Sequence, residues 1–376
     1  MRLKAIAFLL LCLPLGALAQ EAEPFSDPYQ DFARAKVLEI INETQDNDYG
    51  FERVVQTVRL RVMSGQYEGQ EFTLENGILN GRADMTLAEG ETVVVERLRK
   101  PDGSTDWLIR EKYRLPALLW LIILFFIAAI VLGGRTGAFS VIGLAVSILI
   151  LALFIVPRIV AGQNPLLISS LGAAFIACTS LYLAHGFKKR TTVALISTLI
   201  TLALSVIVAL LFVSAAKLFG MGSEEAVFLQ LGPLQVVNLR GLLLGGIVIG
   251  ALGVLDDITT AQTAAIDELS RANPRYNFQK LYGAGVSIGR EHIASLINTL
   301  ALAYVGASLP LLLLFTINQD TPPWMILNSE FIAEEIVRTL VGSLTLLLAV
   351  PISTFLAAWF FQHGHSTGED GHLHLH

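Results

Sequence analysis

Leu115–Leu132 reads LPALLWLIILFFIAAIVL, a stretch without a single charge. The hydrocarbon core of a bilayer is about 30 Å thick and takes about 20 apolar helical residues to cross. Further runs of the same kind follow at Ala138–Val156, Pro165–Ala184, Thr192–Leu218, Leu239–Leu255, Ser287–Leu314 and Ile336–Phe361. Backbone amides at that depth must find partners within their own segment, so such runs are helices. The chain reads as a polytopic α-helical membrane protein with about seven transmembrane helices.

Composition agrees. The sequence is 53% hydrophobic and 15% charged, against roughly 25% charged residues in a soluble domain. Residues 21–113 carry acids and bases throughout, whereas charge beyond Leu115 gathers in the connections. No basic stripe with interleaved aromatics occurs, which sets nucleic acid aside as a partner. Of the two cysteines, Cys12 lies in the first apolar run and Cys178 within a span. Cys178 reads as a small buried apolar residue.

The first residues have the form of an export signal. Arg2 and Lys4 precede the apolar run Ala5–Leu18, and Ala17-Leu18-Ala19 gives an A-x-A cleavage pattern. Residues 1–19 are read as a signal peptide, with an uncleaved first helix as the alternative. Residues 20–113 then form a small N-terminal extracytoplasmic domain. Its strand-like pieces are Ala35–Ile41, Val54–Met63, Gln70–Leu74, Glu91–Arg97 and Thr105–Lys112. Turn signals stand at Asn76-Gly77, Asn80-Gly81, Gly90 and Asp102-Gly103. Trp107 and Ile109 fall on one face of the last strand. A β-rich barrel or sandwich is expected, serving as a binding or gating module.

Loop charges orient the helical domain, residues 114–361. With Tyr113 outside, the inner connections hold Arg135, Lys188, Lys189, Arg190, Arg271, Arg275 and Lys280, and the outer ones only Arg158 and Lys217. That asymmetry follows the positive-inside rule and leaves the C-terminus cytoplasmic. The expected location is a bacterial inner membrane. Phe228–Val237 is too short to span and is read as an ordered loop, with a re-entrant segment as the alternative.

The chemistry concentrates between Arg240 and Pro310. Gly246, Gly250 and Gly253 recur at helical spacing and lead to Asp257. A glycine face admits close approach of a second helix, so these glycines are read as packing positions and Asp257 as the end of a packed seam. Asp256 stands beside it, and Thr260, Thr263 and Asp267 continue from it at helical spacing. The helix is therefore expected to run on through Asp256–Leu269 and stop near Asn273-Pro274. Past the next loop, Arg290, Glu291 and His292 open a helix in which Asn298 and Thr299 continue inward. Buried polar groups are costly unless they pair or meet water. These residues are read as a polar seam between the fifth and sixth membrane helices, with Arg290 as the ion-pair partner of Asp256 or Asp257. A solvated helix end fits the same residues.

The tail, residues 362–376, carries His363, His365, His372, His374 and His376. Neutral imidazoles at alternate positions can share a divalent metal, the one cofactor suggested here. A disordered polar end is the alternative.

The stretch from Gly245-Gly246 through Gly250 and Gly253-Val254-Leu255-Asp256-Asp257 to Thr260, Gln262, Ala265 and Glu268 resembles the YibE/F family of bacterial membrane proteins. So do Gly289-Arg290-Glu291-His292-Ile293 and Asn298-Thr299-Leu300-Ala301-Leu302-Ala303-Tyr304-Val305-Gly306. The resemblance covers residues from about 30 to 361 and implies a multi-pass membrane protein without bringing an activity. A fainter similarity to the SecD/SecF half of the RND superfamily rests on an aspartate that ends one span before a charged cytoplasmic stretch. No H-E-x-x-H, G-x-S-x-G or paired catalytic carboxylate motif is present, so no enzyme is expected. The function expected is that of a membrane permease or proton-coupled exporter. The alternative is a membrane scaffold whose outer domain binds another protein. The expected partners are the lipid bilayer, a membrane protein or a second copy.

Overall fold

The structure is a computed structural model that describes residues 30–46, 53–77, 86–99, 104–232, 237–307, 309–310, 313 and 322–362. Residues 1–19, read above as a signal peptide, and the histidines of the tail lie outside the described residues. The chain divides into two compact units, one ending at Ala128 and one beginning at Ala129 for the bundle.

The first unit is an antiparallel sheet of five strands: β1 (Gln30–Asp46), β2 (Arg53–Val62), β3 (Glu71–Asn76), β4 (Thr92–Arg99) and β5 (Thr105–Lys112), in the order β3-β2-β1-β4-β5. Each strand overlaps one of the expected pieces, and β1 extends beyond Ala35–Ile41 at both ends. Period-2 side chains put Ala33, Ala35 and Val37 of β1, Val58, Leu60 and Val62 of β2, Val93 and Val95 of β4 and Ile109 of β5 into one core. The β1–β2 register shifts twice, between Val37 and Glu39 and between Ile40 and Asn42. Such irregularities bend a strand and increase its twist. The sheet curls far enough that Phe72 of one edge strand stacks on Trp107 of the other, with ring centroids 4.8 Å apart. The result is a half-barrel closed by aromatic packing.

Two buried polar side chains in this unit, Gln56 and Glu96, are tied to neighbouring segments by hydrogen bonds. Gln56 donates to the Leu87 carbonyl at 3.2 Å and accepts the Leu87 N–H at 2.7 Å, tying the segment before β4 to β2. Glu96, fully buried, accepts a hydrogen bond from Arg110. That bond holds Arg110 above its ordinary value, against the opposing effect of burial.

The second unit is helical. Five helices are long and apolar enough to cross a membrane: Leu115–Val160, Pro165–His185, Lys189–Ala215, Leu239–Ala272 and Glu330–Phe361. The first comprises α1 (Leu115–Ile150), a π-helical turn over Leu151–Ile155, and α2 (Val156–Val160). It takes in two of the expected runs, and the join between them is visible. Gly134 adopts φ 55, ψ −136, a conformation open to glycine and closed to most residues. A Cβ on Gly137 would run into the carbonyl oxygen of Ala129. Eight residues of straight helix would separate those positions by about 12 Å, so the chain turns sharply at Gly134.

The remaining elements are α3 (Pro165–His185), α4 (Lys189–Ala215), α5 (Glu224–Leu231), α6 (Leu239–Ala272), α7 (Phe278–Ala307), α8 (Pro323–Leu327) and α9 (Glu330–Phe361). Asn164 and Asn238 cap α3 and α6, each accepting a backbone N–H with its side-chain oxygen. Gly186, at φ 76, ends α3. The continuation of α6 through Asp256–Leu269 is as expected; it stops at Asn273. α7 starts earlier than the apolar run alone suggested, where the Asn277 side chain takes the Lys280 N–H. The segment read as a loop from Phe228 is helical up to Leu231, because the Ser223 hydroxyl accepts the Ala226 N–H and nucleates α5.

The bundle core joins α1, the π-helical turn, α3, α4, α6 and α9 through residues such as Ile150, Phe154, Ile155, Ile176, Leu181, Leu202, Val248, Leu252, Leu255 and Leu346. Cys178 is half-buried, a free thiol packed against this cluster.

Candidate functional site

α6 is 34 residues long, about 51 Å at 1.5 Å per residue, and outruns the hydrocarbon core. Asp256 falls about 26 Å from its start, near one edge of the apolar layer. Its carboxylate is held asymmetrically. Ser180 of α3 donates to Oδ2 at 2.7 Å. Oδ1 is buried and has no partner among the described residues.

The residue fronts a cavity of about 380 Å³ between α1, α3 and α6. Ser140, Gly143 and Ser147 line it from α1, Ser180 and His185 from α3, and Gly253, Asp256 and Asp257 from α6. Among the described residues its ionisable side chains are two carboxylates and one imidazole, with neither lysine nor arginine on the wall. Asp257 and His185 are exposed while Asp256 is half-buried. The arrangement offers a graded path for a cation or proton, from the exposed groups to the recessed carboxylate. Among the described residues, no three His, Cys, Asp or Glu side chains converge as a metal centre would require.

The remaining sequence-selected residues do not join this cavity. Arg290, Glu291, His292 and Asn298 are exposed on α7, and none of them lines it. Among the described residues no ion pair joins Arg290 to Asp256 or Asp257. Thr299 is exposed too, with an interaction of its own.

The polar seam also lies elsewhere than expected. The hydroxyls of Thr198 on α4 and Thr259 on α6 share a hydrogen bond at 2.7 Å. Thr345 on α9 donates to Ser205 on α4 at 3.0 Å. Gln262 on α6 donates to Thr354 on α9 at 2.8 Å and to the Gly285 carbonyl on α7 at 2.6 Å. α6 thus directs its buried polar groups mainly toward α4 and α9, and reaches α7 through Gln262.

The glycine expectation is corrected in the same way. Added Cβ atoms on Gly246, Gly250 and Gly253 would meet open space, whereas on Gly241 and Gly245 they would strike Pro165 and Ser169 of α3. α6 carries glycines on two faces, and it is the Gly241–Gly245 face that packs. Asp257 accordingly ends an open stripe bordering the cavity. Ser180 and His185, which complete the site, were missed. Their only sequence signal is a hydroxyl and an imidazole in the last two turns of α3, a helix that also carries Ser169, Ser170 and Thr179.

A second polar cluster closes the other end of the bundle. Oε1 of Glu330 accepts the N–H groups of Phe219, Gly220 and Met221 at 2.5, 3.0 and 3.3 Å. Oε1 of Glu334 accepts that of Gly222 at 2.9 Å. Two carboxylates at the start of α9 therefore clamp the connection that follows α4.

Comparison with known proteins gives no match among curated proteins and none among solved structures. The YibE/F-like protein family model matches residues 121–363, a range that includes every residue lining the Asp256 cavity, and the chain belongs to that family.

Proposed function

We propose that this protein is a membrane permease or exporter coupled to protons, with Asp256 as the coupling carboxylate. The observation that carries this reading is the cavity at Asp256. A carboxylate oxygen is buried there without a partner among the described residues, and neither lysine nor arginine is among the described residues of the wall. An isolated charge near the hydrocarbon is costly, so the carboxylate calls for a proton or a cation to balance it. Asp257 and His185 stand between it and water as exchange partners. Ser180 holds the carboxylate in place whether or not it carries a proton, since its hydroxyl donates to Oδ2.

The reading includes a topology. The sharp turn at Gly134 divides Leu115–Val160 into two passes, and α7 supplies another beside α3, α4, α6 and α9, for seven in all. Residues 20–113 lie outside after export by the N-terminal signal, and the C-terminus is cytoplasmic, in a bacterial inner membrane. The Asp256 end of α6 then faces the cytoplasm, and the Glu330 clamp faces outward.

The test is proton flux. Purified protein reconstituted into vesicles loaded with a pH-sensitive dye should pass protons down an imposed gradient faster than empty vesicles. Flux equal to that of empty vesicles, across the candidate substrates offered, would favour the scaffold reading.

A further inference from the structure

We infer that the bundle holds an anionic phospholipid in a groove between α3, α4 and α6, with its phosphate at Arg240. The groove is a cavity of about 600 Å³ at the end of the bundle where α3 and α6 begin. It is amphipathic along its length. Its polar end is formed by Asn164, Ser214, Asn238 and Arg240; within the next two turns of the same helices the lining is Leu166, Ile207, Leu210, Leu211 and Leu244.

The polar end is built from donors. Asn164 and Asn238 spend their side-chain oxygens on the N–H groups of Leu167 and Gly241, which leaves their amide NH₂ groups to donate. Arg240 is exposed, and among the described residues it has no acidic partner and no aspartate or glutamate lines the groove. A guanidinium with two amide donors suits a phosphate oxygen cluster. The apolar stretch suits an acyl chain running in the direction in which the helices enter the hydrocarbon. An exposed arginine in the first turn of a span reaches the interface with its guanidinium, the depth at which lipid phosphate lies. The lack of an acid selects further. A phosphatidylglycerol headgroup brings no cation, whereas the ammonium of phosphatidylethanolamine would find no carboxylate to receive it.

The experiment is lipid retention by the full-length protein. Detergent-purified protein is offered phosphatidylglycerol, phosphatidylethanolamine or phosphatidylcholine with matched acyl chains, and bound lipid is counted by native mass spectrometry. Phosphatidylglycerol should be retained at least several-fold over the other two, and Arg240→Gln should lower its retention by about tenfold while Arg240→Lys restores part of it. Leu210→Trp, which fills the groove and leaves the charge, should also lower it. Equal retention of the three lipids by the parent protein overturns the proposal without any variant. Displacement of the lipid by inorganic phosphate at millimolar concentration also overturns it, since that would show an anion site indifferent to the acyl chain.

Discussion

Ser180 on α3 donates its hydroxyl to Oδ2 of Asp256 on α6 at 2.7 Å, a bond between helices 76 residues apart in sequence. It fixes one carboxylate oxygen and leaves the other turned to a buried position without a partner. Because a hydrogen bond to a charged group contributes about 1.5–3 kcal/mol, Ser180→Ala should lower stability by about 1–2 kcal/mol after allowance for water entering the cavity. Against an Asp256→Asn background the same substitution should cost less. A thermal-unfolding double-mutant cycle in detergent measures the coupling; purely additive losses would show that the bond contributes nothing.

The two glycine faces of α6 should respond in opposite directions. Gly245→Ala places a methyl against Ser169 and the Pro165 carbonyl, an overpacking that costs about 1–3 kcal/mol. Gly250→Ala meets open space and should leave stability unchanged or raise it by up to about 1 kcal/mol through helix propensity. Melting temperatures of the two variants check this. A destabilised Gly250→Ala would indicate that the open stripe is covered by a second copy.

The Glu330 clamp predicts a local effect. Three consecutive N–H groups share one carboxylate oxygen, so Glu330→Ala should free the amides of residues 219–221. Each lost bond is about 1 kcal/mol, equivalent to roughly five-fold faster hydrogen exchange per residue. Exchange measured by mass spectrometry should rise there and stay unchanged in α6.

In the half-barrel, Arg110→Ala strips buried Glu96 of its partner. The arginine side chain is 47% exposed, which discounts the loss to about 1–2 kcal/mol. Glu96 raises the Arg110 value, so the contribution is complete below arginine's ordinary range and is lost only as pH rises through the still higher folded value. The deficit of Arg110→Ala in chemical denaturation should therefore be independent of the arginine's titration between about pH 6 and 9.

The fold was legible where a period exposes it. Val58, Leu60 and Val62 alternate onto one face, and together with the turn signals that follow they place the strand. The sequence Asp256, Thr260, Thr263, Asp267 keeps a polar stripe beyond the apolar run, which is why the full length of α6 could be read. The site was legible in part. A carboxylate near the end of a span is conspicuous, so Asp256 was found. Its partner depends on where α3 crosses α6, and Thr179 and Ser180, alike in depth, are equal candidates until that crossing is known. The Arg290 pairing failed for the same reason: equal depth along two helices does not place two side chains on facing sides. The glycines misled because both faces of α6 carry them, and helical spacing cannot say which face is covered.

The most direct test of the central claim is the charge displaced when protein-bearing membranes on a solid support are stepped to a lower cytoplasmic-side pH. The parent protein should give a transient current as protons reach Asp256. Asp256→Asn, reconstituted in equal amount and in the same orientation, should lose nearly all of it, while Asp257→Asn should slow it and keep most of the charge. An Asp256→Asn current equal in size to the parent's would contradict the account.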